Sequence, residues 1–172
     1  MTLTGSTNNV DPQTGGPRRT LSAERLGVVY ARIALGAAFL SAVADRFGFW
    51  GKYGGWGNFA NFEKYTAQVN SFMPASMIPF LAWAATVAEL SFGVALILGI
   101  WTRWVAGGAA ALLFLFGTAM AISFGIKSPL DYSVFSASAA ALLLSLYPTE
   151  RDRMQWRTHV TDAINKSRQT LL

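Results

Sequence analysis

Apolar residues along this chain fall into four runs, separated by short polar or aromatic connections. They extend from about Leu26 to Ala44, from Met77 to Ile100, from Trp104 to Ile126 and from Tyr132 to Tyr147, the last halted by Pro148. None alternates with period two, which argues against a membrane barrel. In lipid every backbone amide must be satisfied within its own segment, so runs of this length predict helices. The expected fold is an all-α integral membrane four-helix bundle. Residues 1–20 read as a disordered tail rich in Gly, Thr, Asn and Pro, 21–148 as the transmembrane domain, and 149–172 as an amphipathic tail. In that last tail Trp156, Val160 and Ile164 recur every four residues among basic ones, the pattern of a surface helix on anionic lipid. His159 on it reads as a solvated side chain.

The connection from Phe47 to Pro74 differs from the others in being long and aromatic. Phe59, Phe62, Thr66, Val69 and Met73 share a helical spacing, which predicts an interfacial amphipathic helix between the first two spans. Trp50 and Trp56 would join the outer aromatic belt, and Trp101 and Trp104 the inner one. Two roles stay open for these rings: anchoring the bundle, or covering a pocket that opens outward.

Composition sharpens this picture. The 172 residues are 52% hydrophobic and 13% charged, about half the charge of an ordinary soluble domain. Only Glu89 and Arg103 are charged between Lys64 and Lys127. With no cysteine, the chain has no thiol redox chemistry, thiolate-ligated zinc, iron–sulfur cluster or covalent haem. One histidine excludes bis-histidine haem and ordinary multi-histidine metal sites. No intrinsic cofactor or metal is expected. The net charge of +5 comes from basic residues flanking apolar runs, which assigns it to topology and the lipid bilayer rather than to nucleic acid.

Ten basic residues (Arg18, Arg19, Arg25, Arg32, Arg103, Arg151, Arg153, Arg157, Lys166, Arg168) fall on one side, against four (Arg46, Lys52, Lys64, Lys127) on the other. The positive-inside bias then places both termini in the cytoplasm of a chain that crosses the plasma membrane. The opening PRRTLS and the later Ala42-Val43-Ala44 resemble a twin-arginine export signal with its cleavage site. Arg32 interrupts that hydrophobic region and three more runs follow, so the segment is read as a retained first helix.

Two charges inside apolar runs are the most informative residues. Arg32 and Glu89 would each cost roughly 2.5–3.5 kcal/mol at a helix centre facing lipid. Counted from the ends of their runs, Arg32 lies roughly 9 Å and Glu89 roughly 16 Å from the cytoplasmic side. A salt bridge between them is the expectation, serving either to pair helices or to line a polar cavity. Thr86, Ser91 and Thr118 could complete such a cavity or simply bond their own helix backbone. A second constellation, Asp45 and Arg46 with Lys127, Asp131 and Tyr132, could form an outer polar pocket or remain a set of interfacial charges.

The stretches RIALGAAFLSAVADRFGFWG, AELSFGVALILGIWTRWVAGGAAALL and SPLDYSVFSASAAALLLSLYP resemble the DoxX/DoxD family of four-helix bacterial and archaeal membrane proteins. The resemblance covers about residues 28 to 148. Its most specific piece is Glu89-Leu90, then Gly93, Gly99, Thr102 and Arg103, with Arg32-x-x-x-Gly36 as the second marker. Where the family usually has a lysine at the end of helix one this chain has Arg46, and Ala42-Val43 replaces a common His-Gly pair. The resemblance implies either a subunit of a thiosulfate:quinone oxidoreductase or a member of a membrane complex for oxidative-stress defence.

Two functions follow. One is a quinone-linked oxidoreductase subunit, with a quinone bound between helices by Phe80, Trp83 and Phe92 and by Arg32 or Glu89, the latter handling protons. A protein partner would carry the redox centre. The other is a non-enzymatic membrane anchor or assembly factor for a soluble redox or stress-defence partner. A second copy of the chain is a further candidate partner.

Overall fold

The computed structural model describes residues 18–147, with side chains from residue 23 onward. The expected N-terminal tail, and the C-terminal segment with Trp156, His159, Val160 and Ile164, lie outside the described residues. Helix α1 runs over Arg18–Arg46 and α2 over Phe59–Val69. Three apolar helices follow, α3 (Ile78–Leu98), α4 (Thr102–Phe124) and α6 (Val134–Leu146), with the short α5 (Lys127–Asp131) before the last. Local chemistry sets the boundaries. The Asn58 side chain accepts the Asn61 amide at 2.9 Å and so caps the start of α2. Pro79 fits the first turn of α3, where its missing N–H costs nothing. Gly99, at φ 75°, ends α3 in the left-handed conformation that glycine adopts without penalty.

Three helical stretches, Ala23–Arg46, Ala75–Leu98 and Thr102–Phe124, are long and apolar enough to cross a membrane. The fourth apolar run forms α6, which is equally apolar but has 13 residues. At about 1.5 Å per residue that is about 20 Å, short of a hydrocarbon core of about 30 Å. The run is shortened at its start, where Ser133 turns the chain at φ 55° and detaches α5. The protein is thus an all-α membrane protein.

Packing joins α1 to α3 and α4 to α6, with smaller contacts of α3 on α4 and of α1 on α6 closing the ring. Each face is visible as a stripe. Helix α3 buries Ile78, Ala82, Thr86, Glu89, Gly93 and Leu96, at steps of three and four. Helix α1 buries Leu35, Gly36, Phe39, Val43 and Arg46. The two cross at glycines: a Cβ on Gly36 would lie 2.9 Å from the Gly93 carbonyl oxygen. On α4, Gly108 and Gly117 leave room for the rings of Phe92 and Phe135. The apolar core (Leu35, Phe39, Leu96, Ala106, Ala109, Ala110, Ala141, Leu144) fills the half of the bundle nearest the α3–α4 turn. The other half, beneath α2, contains charge.

Candidate functional site

Arg46 is the last residue of α1 and Glu89 lies midway along α3, and both point into the bundle. Nη2 of Arg46 donates to Glu89 Oε2 at 2.6 Å, and Nη1 donates to the Thr86 hydroxyl at 2.8 Å. That hydroxyl donates in turn to the Ala82 carbonyl at 2.8 Å. Arg46 is 2% exposed and Glu89 3%. Isolated, either charge would be strongly destabilising here; paired and hydrogen-bonded, each compensates the other. The Phe62 ring covers the guanidinium, its centroid 3.7 Å from Cζ, with the Trp56 ring at 5.7 Å. A planar, weakly hydrated cation suits this aromatic roof better than an ammonium would.

The roof is itself built. Asp45, one residue before Arg46, turns the other way and accepts the amides of Gly55 at 2.9 Å and Trp56 at 3.2 Å through a single oxygen, Oδ2. Asn61 Nδ2 donates to the Trp56 carbonyl at 2.9 Å, so the Trp56 backbone is held from both sides. Trp50 Nε1 donates to the Ser41 carbonyl at 3.1 Å, fastening the loop to α1. The Trp56 ring meets Phe62 edge-on at 5.1 Å and Tyr65 at 5.7 Å. Among the described residues, two buried side-chain polar atoms lack a partner: Arg46 Nε and Asp45 Oδ1. Such atoms are few in folded proteins and each calls for an explanation.

The expected Arg32–Glu89 bridge does not form. Arg32 Nε donates to the Leu96 carbonyl at 3.0 Å and Nη2 to the Ile97 carbonyl at 3.2 Å. These carbonyls lie in the last turn of α3, where Leu96 also accepts the capping Gly99 amide at 3.2 Å, and a cation there meets the negative end of the helix dipole. The near ends of α1 and α3 are staggered and do not lie in one plane. The Gly36–Gly93 crossing sets Arg32 beside Gly99, ten residues from Glu89, or about 15 Å of helix. The same crossing brings Arg46 down to Glu89.

The other candidate residues are dispersed. Phe80 is 67% and Trp83 51% exposed on the outside of α3, where Trp83 packs on Phe59 at 4.4 Å. Phe92 lies nine positions beyond Trp83, on the opposite side of the same helix, against Gly108. These three rings line no common pocket, nor do they approach the guanidinium of Arg46 as Trp56 and Phe62 do. The outer polar pocket does not assemble either: Arg46 goes inward, Asp45 holds the loop, and Lys127 pairs with Asp131 on the surface of α5. Tyr132 is 74% exposed, next to Tyr65. Burial, and then that neighbour, push the Tyr65 phenol above its usual pKa. Ser91 and Thr118 bond the carbonyls of Val87 and Phe114 in their own helices.

The expected amphipathic helix is present as α2, which buries Phe62, Thr66 and Val69. Trp101 and Trp104 are both 80% exposed at the α3–α4 turn. Trp56 is only partly exposed, because it turns inward over Arg46. The sequence carried one signal for the true pair: Arg46 continues the inward stripe of α1 from Phe39 and Val43, and Glu89 lies within the inward stripe of α3.

A helical membrane protein with a roofed ion pair between its first two long apolar helices is the class that these features define. The DoxX family model matches residues 27–124, more than half of the chain, and the chain belongs to the DoxX family. No curated protein and no solved structure matches it. The family's two sequence markers meet in space, since Arg32 lies against Gly99 and Gly36 against Gly93. A Cβ at Gly99 would fall on the Arg32 guanidinium. Those marker residues hold α1 to α3, and Glu89, which opens the first marker, is also the carboxylate of the roofed pair.

Proposed function

We propose that this chain is the quinone-binding membrane subunit of an oxidoreductase whose redox centre is carried by a protein partner. The observation that carries this reading is the unsatisfied Nε–H of Arg46, a buried cationic donor beside a carboxylate and under aromatic rings. A quinone supplies two-electron, two-proton chemistry, and its planar ring with a carbonyl acceptor suits those surroundings. Nε and its cation would hold the carbonyl oxygen, Trp56 and Phe62 would exclude water, and Glu89 would hold a proton close to the same oxygen. Thr86 keeps the guanidinium plane in place. With no cysteine and one histidine, the chain supplies no electron carrier of its own, which is why a partner is required. The excess of arginine and lysine at one end supports an orientation with both termini cytoplasmic and the roofed pair toward the outer face.

Protein purified in mild detergent is expected to release quinone on solvent extraction, seen by its redox-difference absorbance. Thr86→Ala and Trp56→Ala proteins that keep their helical content should release less. A parent protein that releases none, and that binds no added short-chain quinone, would overturn the reading.

A second reading is favoured by the mutual neutralisation of the pair: Arg46 and Glu89 would clamp α1 to α3 in a non-enzymatic anchor for a soluble partner. An Arg46→Leu/Glu89→Leu double variant that keeps full cellular function would establish it over the first.

A further inference from the structure

The Asp45 carboxylate turns away from the Arg46–Glu89 pair, yet it holds the Trp56 side of the roof. It lies one residue before the buried guanidinium, and one of its oxygens collects both amides of the Gly55–Trp56 segment. A carboxylate accepting two N–H groups makes charge-assisted bonds, stronger than neutral ones. Its other oxygen, Oδ1, is pressed against the Gly54 backbone so closely that a Cβ at Gly54 would collide with the carboxylate. Gly54 has φ −78° and ψ 152°, which any residue adopts, so its lack of a side chain answers to Asp45 and not to backbone strain. The neighbouring Gly55 differs: a Cβ there would sit 3.5 Å from Asp45 Oδ2, an ordinary contact. The segment is also attached by the Trp50 and Asn61 hydrogen bonds to carbonyls, by the backbone amides of Phe47 and Phe49 on the Ala44 carbonyl, and by the stacked rings of Phe47 and Phe59.

We propose that Asp45 is the positioning residue of the Arg46 site: its carboxylate latches residues 47–58, which open on that latch to admit a flat, carbonyl-bearing ligand. This rests on the reading of the Arg46–Glu89 pair as a binding site. Closed, the latch places Trp56 beside Phe62 above the guanidinium, and under this cover Arg46 is 2% exposed. Ligand binding and latch closure are therefore coupled. A weakened latch shifts the population toward the open form, raising access and speeding ligand release.

The chain has no cysteine, so one introduced thiol reports uniquely on access to the site. Thr86→Cys places that thiol against Arg46 beneath the roof, where a closed segment keeps it unreactive. Labelling of the full chain in detergent by a water-soluble methanethiosulfonate is then compared across second substitutions. Asp45→Ala should label faster by about tenfold for each hydrogen bond lost, the factor that about 1.4 kcal/mol converts to. Asp45→Asn retains a carbonyl oxygen that can accept both amides, and should return the rate toward that of the parent. Gly54→Ala should behave like Asp45→Ala, and Gly55→Ala like the parent. Should Asp45→Ala fail to fold, the two glycine variants decide the matter. Equal labelling of Gly54→Ala and Gly55→Ala, or an Asp45→Asn protein as reactive as Asp45→Ala, overturns the proposal. Thiol access is read without quinone, so a working latch in a protein that binds none would reject the functional reading and leave the latch standing.

Discussion

Two arginines on one helix, fourteen positions apart, both reach across to α3, and they do so in different ways. Arg32 is partly exposed and spends its donors on the carbonyls of Leu96 and Ile97. Arg46 is enclosed and donates to a carboxylate and a hydroxyl under an aromatic roof. At the end of α3, the last-turn carbonyls and the helix dipole supply enough negative partial charge to hold a cation. Midway along α3 every backbone carbonyl is already bonded within the helix, so only an ionised side chain can compensate a guanidinium. Position along the partner helix therefore decides what kind of partner a buried cation needs.

That contrast can be broken at several points by thermal unfolding in detergent, followed by circular dichroism. The largest effect is expected from Glu89→Leu, which leaves Arg46 buried without a counter-charge, at a cost of about 3–5 kcal/mol. Replacing both with leucine should recover most of it. A Glu89→Leu protein as stable as the parent would mean that Arg46 is not enclosed. Next comes Gly36→Val, which forces side-chain atoms against the Gly93 carbonyl and should cost about 1–3 kcal/mol. Gly27→Val is its control, since nothing lies within 4 Å of that position. Arg32→Leu removes a cap but strands no buried charge, so about 1–2 kcal/mol is expected, clearly below Glu89→Leu. Equal losses for the two would erase the distinction between the two ends of α1. The smallest change belongs to Lys127→Ala, whose exposed pair with Asp131 should matter by under about 0.5 kcal/mol.

How far the sequence could be read follows from the range of the forces involved. The apolar runs determined that this is a helical membrane protein, because satisfying backbone amides in lipid is a requirement on each segment alone. The 3–4 spacing of Phe62, Thr66 and Val69 likewise determined that α2 would be an amphipathic helix. The presence of Glu89 in an apolar run announced that some cation must approach it. Which one was a matter of stagger between α1 and α3, and stagger depends on where Gly36 and Gly93 let two backbones touch. The inward turn of Trp56 depends on Asp45 and Asn61 gripping its backbone from separate parts of the chain. Segment identity is thus local and was written in the composition of each run; charge partnership is set by contacts between runs, and only the assembled bundle chose Arg46 over Arg32.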